Sequence, residues 1–195
     1  MSYGTLAQRP ELRTSWPWPH YFDESNIPLP PTRPEEYNFA LSQPPSGGIS
    51  LDAASGWVPD WHIFARNFAL HHKQPLIAMD LNPEHLWLHE PHPLIVRTLG
   101  DICGMPFAEA IFDTVYCLSA LEHLPGMYLS RAVEEVSRVA RCQLVLTFDG
   151  LDLGKMVTTL TSYGFDCGIH TDEDGEALIS NSGRLVNYVT ATRVT

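Results

Sequence analysis

From residue 49 onward, short apolar runs alternate with segments whose apolar residues recur at helical spacing. ISLDAA (49–54) is a short apolar run, LIAMDL (76–81) reads as a buried strand, and LIVRTLGDI (94–102), FDTVYCLS (112–119) and QLVLTFD (143–149) read as strands. After the first run, Trp61, Phe64, Ala65 and Phe68 recur at helical spacing, and Pro59 suits a first helical turn. PEHLWLHEP reads as a short helix or turn. LSRAVEEVSRVA (129–140) gathers Ala132, Val133, Val136, Val139 and Ala140 on one face and leaves Arg131, Glu134, Glu135 and Arg138 outside. LGKMVTTLTSYG (153–164) predicts a helix closed by Gly164. Two final strands, FDCGIHT and RLVNYVTATRV, flank the acidic turn DEDGE. Near-continuous apolar strands alternating with amphipathic helices predict an α/β fold, a parallel sheet covered on both faces.

Residues 1–47 follow neither rhythm. They hold nine of the sixteen prolines and the cluster SWPWPHYF. Proline removes backbone donors and disfavours helix in the residue before it, so the segment reads as an irregular arm or lid of the same domain. RPEEYNFAL is its one candidate helix. Trp16, Trp18, Tyr21 and Phe22 are too apolar for a solvated tail and are expected to cover a groove or meet a protein partner. Residues 48–195 then form the domain proper.

Charge narrows the partners. The chain carries a net charge of −11, with two lysines beside ten arginines. Such a field repels phosphate backbones and argues against nucleic acid, while it attracts small cations. No basic block suits a membrane surface, and no apolar stretch approaches the ~20 residues that span a bilayer. Cys103, Cys117, Cys142 and Cys167 form no CxxC pair, and the N-terminus has no secretory pattern, so a reducing, cytoplasmic location is expected.

In a parallel sheet, ligands bind at the carboxyl ends of the strands. Asp52, Asp80, Asp101 and Asp149 each stand at or just past such an end. Helix capping and turn formation also favour Asp there, but their shared placement argues for a site. His85, His89 and His92 suggest a metal, with His85 and His89 at i, i+4. Pro91 and Pro93 break any helix before a third ligand aligns, and no metal is expected.

The segment LGDICGMPFAEAIFDTVYCLSALEHLPGMYLSRAVEEVSRVARCQLVLTFDG (99–150) closely resembles the class I S-adenosylmethionine-dependent methyltransferases, type 11 branch, which includes ubiquinone/menaquinone-biosynthesis enzymes. Five landmarks carry the likeness in order: Gly100-Asp101, Met105-Pro106-Phe107, Phe112-Asp113, Leu121-Glu122-His123, and Glu135 to Val139. The resemblance extends over residues 49–195. It implies a Rossmann-like, mostly parallel seven-stranded sheet with an antiparallel final strand, S-adenosylmethionine as cofactor, and methyl transfer to a small-molecule acceptor. It implies that Asp80 binds the ribose hydroxyls and Leu81 packs on the adenine. Asp101 would take the adenine amino group, and the backbone of Ile102 would face the ring. Cys117 and Leu118 would line the methionine side, with Asp52 and its loop beneath. His123 or Glu122 would be the base if the acceptor needs one, and His20, Tyr21 and Trp18 could form a lid.

One stretch departs from the family. The usual first loop is acid-x-Gly-x-Gly-x-Gly; here it reads Asp52-Ala53-Ala54-Ser55-Gly56-Trp57-Val58. Ala54 stands at the first glycine and Val58 at the third, Gly56 is kept for close backbone approach, and Trp57 adds bulk. The substitutions leave open a catalytically silent methyltransferase-like subunit or scaffold. A nicotinamide-binding oxidoreductase is the third reading, disfavoured by the missing GxGxxG turn.

Overall fold

The computed structural model describes residues 33–56, 64–87, 91–171 and 185–194. Its strands are β1 (Ser50–Ala53), β2 (Leu76–Asp80), β3 (Ile95–Leu99), β4 (Phe112–Leu118), β5 (Ala140–Asp149), β6 (Phe165–His170) and β7 (Val186–Arg193). Its helices are α1 (Arg33–Ser42), α2 (Phe64–His72), α3 (Pro83–Trp87), α4 (Gly126–Val139) and α5 (Leu153–Ser162), with a 3₁₀ turn at Leu121–His123. The strands form one seven-stranded sheet in the order β3-β2-β1-β4-β5-β7-β6. All pairings are parallel except those of β7, which runs antiparallel to both β5 and β6. This is the Rossmann-like sheet that the resemblance implies. Among the described residues, no helix is long and apolar enough to cross a membrane.

Two core layers hold the sheet. On one face Tyr37 and Ala40 of α1 and Phe64, Ala65 and Phe68 of α2 cover Leu76, Ala78, Tyr116, Leu118 and Val145. The Phe64 and Tyr116 ring centroids lie 5.0 Å apart, those of Phe68 and Tyr116 5.4 Å. Burying each such ring contributes about 1.5–3 kcal/mol. On the other face, Ala132, Val133, Val136 and Val139 of α4, with Met156 and Leu160 of α5, pack on Leu51, Val115, Cys117, Leu144 and Leu146. The apolar stripe read from LSRAVEEVSRVA is therefore the face that α4 buries.

β1 is short, and Asp113 braces it. The Asp113 carboxylate accepts the Ile49 N–H at 3.1 Å, and Arg141 Nε donates to its other oxygen at 2.8 Å. One acid, only 6% exposed, thus ties the entry of β1 to β4 and β5. The Phe112-Asp113 landmark has this structural cause. In the segment 1–47, residues 33–42 are helical, and Tyr116 Oη donates to the Gln43 carbonyl at 3.1 Å. Trp16, Trp18, His20, Tyr21 and Phe22 lie outside the described residues, as do Trp57, Val58 and His89.

Candidate active site

The sheet order reverses between β1 and β4, because the chain runs outward through β2 and β3 and then returns. A crevice opens at the carboxyl ends of such neighbours. Here it is a cleft of about 170 Å³, lined by Ala54, Met79, Asp80, Leu81, Gly100, Asp101, Ile102, Ala120 and Leu124.

The floor of the cleft is the turn after β1. Ala54 and Gly56 both take positive φ, at 59° and 69°. Ser55 N–H donates to the Met79 carbonyl at 2.8 Å, and Ser55 Oγ–H donates to Asp52 Oδ2 at 2.8 Å. Asp52 is buried under this turn and holds it from below. Gly56 N–H then donates to Asp80 Oδ2 at 2.8 Å. Among the described residues, a Cβ on Gly56 would meet only the Ala54 carbonyl, at 3.8 Å. Gly56 is therefore needed for its left-handed backbone. The tight glycine is Gly100, where a Cβ would stand 2.6 Å from Met79 Sδ and 3.2 Å from Pro106 Cδ. Its place in the Gly100-Asp101 landmark was the available signal.

Asp80 ends β2 and gathers three donors. Besides Gly56, Asn82 N–H reaches Oδ1 at 2.8 Å and His85 Nδ1–H reaches the same oxygen at 2.9 Å. Burial pushes the Asp80 carboxyl up, but the hydrogen bond and charge of His85, with the Asn82 and Gly56 donors, outweigh it and hold it below its ordinary value. Among the described residues, Oδ2 accepts a single hydrogen bond, and a carboxylate oxygen has about two acceptor positions, so capacity remains on the Gly56 side. His85, weighed as a metal ligand in the sequence, is engaged with Asp80. Among the described residues, no group of three or more His, Cys, Asp or Glu is placed to hold a metal.

Leu81 stands next to this acid, 68% exposed, an apolar side chain on the cleft wall that needs a cover. Asp101 is exposed on the far wall, with Oδ1 accepting the Cys103 N–H at 2.8 Å in a local turn. Ile102 is 8% exposed beside it. Cys117 and Leu118 end β4 with their side chains in the two core layers. At that end of the cleft the wall is made by Ala120 and Leu124. Between these two lies the 3₁₀ turn, anchored by the fully buried Leu121, with Glu122 half-buried and His123 exposed.

The remaining landmarks form a brace behind the Gly100–Ile102 wall of the cleft. Arg138 Nε donates to Glu135 Oε1 at 2.7 Å, and its Nη1 reaches the Phe107 carbonyl at 2.9 Å. Glu135 Oε2 accepts the Met105 N–H at 2.6 Å. The Glu-x-x-Arg pair of α4 therefore clamps the Met105-Pro106-Phe107 loop, which backs Gly100.

Comparison with known proteins agrees with this geometry. Residues 51–143 match the family model described as a methyltransferase domain. Over these residues the chain is similar to a methyltransferase domain. Solved structures share its fold. A TehB-like S-adenosylmethionine-dependent methyltransferase from Corynebacterium glutamicum is 15% identical with a TM-score of 0.64, over 97% of this chain and 96% of that one. An S-adenosylmethionine-dependent methyltransferase from Mesorhizobium loti is 15% identical with a TM-score of 0.62, over 84% of this chain and 98% of that one. No curated protein sequence matches.

Proposed function

We propose that the chain is an S-adenosylmethionine-dependent methyltransferase acting on a small molecule, with the cleft between β1, β2, β3 and β4 as the cofactor site. The observation that carries the reading is the pairing of Asp80, which keeps acceptor capacity toward the cleft, with the exposed Leu81 beside it. An adenosine group needs both: a carboxylate for two ribose hydroxyls and an apolar surface for the base.

In this reading Asp80 takes the ribose, Leu81 and Ile102 sandwich the adenine, and Asp101 accepts its amino group. Ala54, Gly56 and the buried Asp52 shape the floor under the methionine portion, and the ends of Cys117 and Leu118 lead into the wall at Ala120. When bound, the cofactor supplies a methyl group already activated on a sulfonium. The protein's task is to hold the acceptor close, in line and shielded from water. His123 or Glu122, on the turn between Ala120 and Leu124, would be the base if a hydroxyl or acid acceptor needs one.

Titration calorimetry with S-adenosylmethionine and S-adenosylhomocysteine tests the reading. Saturable binding of both is expected. No heat and no thermal shift in a folded sample would overturn it and leave the silent-subunit alternative.

A further inference from the structure

Asp80 lines the cleft, and the short helix α3 grips its carboxylate from behind. Asn82 starts that helix. Its Oδ1 accepts the Glu84 N–H at 2.9 Å, and its carbonyl accepts the His85 N–H at 3.1 Å. Leu86 is buried, and Arg97 Nη1 of β3 donates to the Leu86 carbonyl at 3.4 Å, so α3 is tied to the neighbouring strand. This sets His85 against the end of β2, with Nδ1 2.9 Å from Asp80 Oδ1 and a side chain only 16% exposed. An ionised carboxylate can only accept hydrogen bonds, so Nδ1 carries the proton and donates it. The two oxygens of Asp80 are thereby unequal. Oδ1 takes the Asn82 N–H and His85 Nδ1–H, while Oδ2 takes the Gly56 N–H from the floor of the cleft.

We infer that His85 is a positioning residue of the cofactor site: it fixes the Asp80 carboxylate in the orientation that turns Oδ2 to the ribose hydroxyls. The inference rests on the cofactor reading above. The last torsion of an aspartate is broad, so a carboxylate held by one side alone can turn and exchange its two oxygens. A binding group keeps its geometry when the residues behind it are themselves locked by packing and hydrogen bonds. The Asn82 N–H belongs to the same turn as Asp80 and moves with it. His85 stands on a helix anchored to β3, so its donor is an external reference for the carboxylate. The same contact helps keep the acid charged. Burial pushes the Asp80 carboxyl up, and the hydrogen bond from His85 is the largest of the causes that oppose it. An anionic, oriented acceptor is what two ribose hydroxyls require.

The test is a rescue and a double-mutant cycle read by calorimetry. Kd for S-adenosylhomocysteine is measured in the wild type, His85→Ala, His85→Asn, Asp80→Asn, and His85→Ala in an Asp80→Asn background. Circular dichroism and thermal unfolding are the folding controls. His85→Ala is expected to weaken binding by about fivefold or more. His85→Asn, which offers an amide N–H close to where Nδ1 stands, is expected to bind within about threefold of the wild type. In the Asp80→Asn background, where the carboxylate to be positioned is gone, His85→Ala is expected to change Kd by less than about twofold. If His85→Ala does not fold, His85→Phe, which keeps a ring and lacks the donor, takes its place with the same expectations; if neither folds, His85 is a structural residue and the inference falls. An unchanged Kd in His85→Ala, a loss that asparagine does not restore, or an equal loss in the Asp80→Asn background each overturns the inference while the cofactor reading stands. A wild type that does not bind S-adenosylhomocysteine overturns the cofactor reading first, and this inference with it.

Discussion

The backbone of Gly48 lies against the carboxylate of Asp113: a Cβ built on Gly48 would stand 1.8 Å from Asp113 Oδ2. Gly48 also has a φ of +59°, so an alanine there meets both a clash and a strained backbone. Gly48→Ala is expected to cost about 2–4 kcal/mol, read as a lower urea midpoint. Gly47, with a φ of +111° and nothing among the described residues within 4 Å of its Cβ, is the internal comparison. Gly47→Ala should cost about 1–2 kcal/mol, from the backbone alone. Equal losses at the two positions would show that the contact with Asp113 is unimportant.

The α4 clamp makes a second expectation. Removing the Glu135 carboxylate leaves the Met105 N–H without its acceptor and the Arg138 guanidinium with only the Phe107 and Met105 carbonyls. Glu135→Ala should cost about 1–3 kcal/mol and loosen the 105–107 loop, visible as faster amide hydrogen exchange there. An unchanged exchange pattern would mean that Pro106 and the neighbouring core hold the loop without the clamp.

Acid stability follows from the same carboxylates. The hydrogen bond from Arg138 holds Glu135 below its ordinary value of 4.5, and the donors around Asp80 outweigh burial to hold it below 3.8. A carboxyl depressed in the fold adds stability that is fully present above its unfolded value and is lost as pH falls through the lower, folded value. Stability should therefore decline below about pH 4.5, first from Glu135 and then from Asp80. Asp80→Asn should flatten the lower part of that decline in pH-dependent urea unfolding. A parallel decline in the variant would remove Asp80 as a source.

The turn after β1 can be improved locally. Ala54 occupies a φ of 59° where glycine would be unstrained. Ala54→Gly should be neutral or stabilise by up to about 1 kcal/mol, the relief of strain being offset in part by the entropy of the unfolded chain. Gly56→Ala should cost about 1–2 kcal/mol from its φ of 69°, although space exists for the methyl. Thermal unfolding of the two variants reads both signs.

Asp80 is the most direct test of the ligand reading. Asp80→Ala removes the ribose acceptor and also releases Gly56, Asn82 and His85. Affinity for S-adenosylhomocysteine should fall at least about tenfold. Leu81→Ala, which breaks no hydrogen bond, should weaken it by a smaller factor; an effect of Asp80→Ala on stability alone would separate a turn anchor from a ligand group.

Much of this architecture was legible because it is periodic. The apolar runs became strands, the stripe of α4 became its buried face, and three of the five short landmarks are physical joints: Asp113 braces β1, and Glu135 with Arg138 braces the Met105–Phe107 loop before β4. What periodicity does not carry is contact over long separations. Glu36 meets Ser119 across 83 residues and Thr147 across 111, and nothing in RPEEYNFAL marks one of its two glutamates for burial. Side-chain direction at a strand end was equally hidden. β4 is buried on both faces, so Cys117 and Leu118 alternate into opposite core layers and the cleft wall begins two residues later. The roles of glycines separated for a similar reason: Gly56 is required by its dihedral and Gly100 by its neighbours, and both look alike in a string of letters.

The position of β7 has a consequence for folding order. β7 sits between β5 and β6, and among the described residues it is the strand that β6 pairs with. Until β7 docks, β5 presents an open edge of Val145, Leu146 and Phe148, and β6 has no strand beside it. Deleting Val186–Arg193 therefore exposes an apolar edge that invites strand addition by another chain.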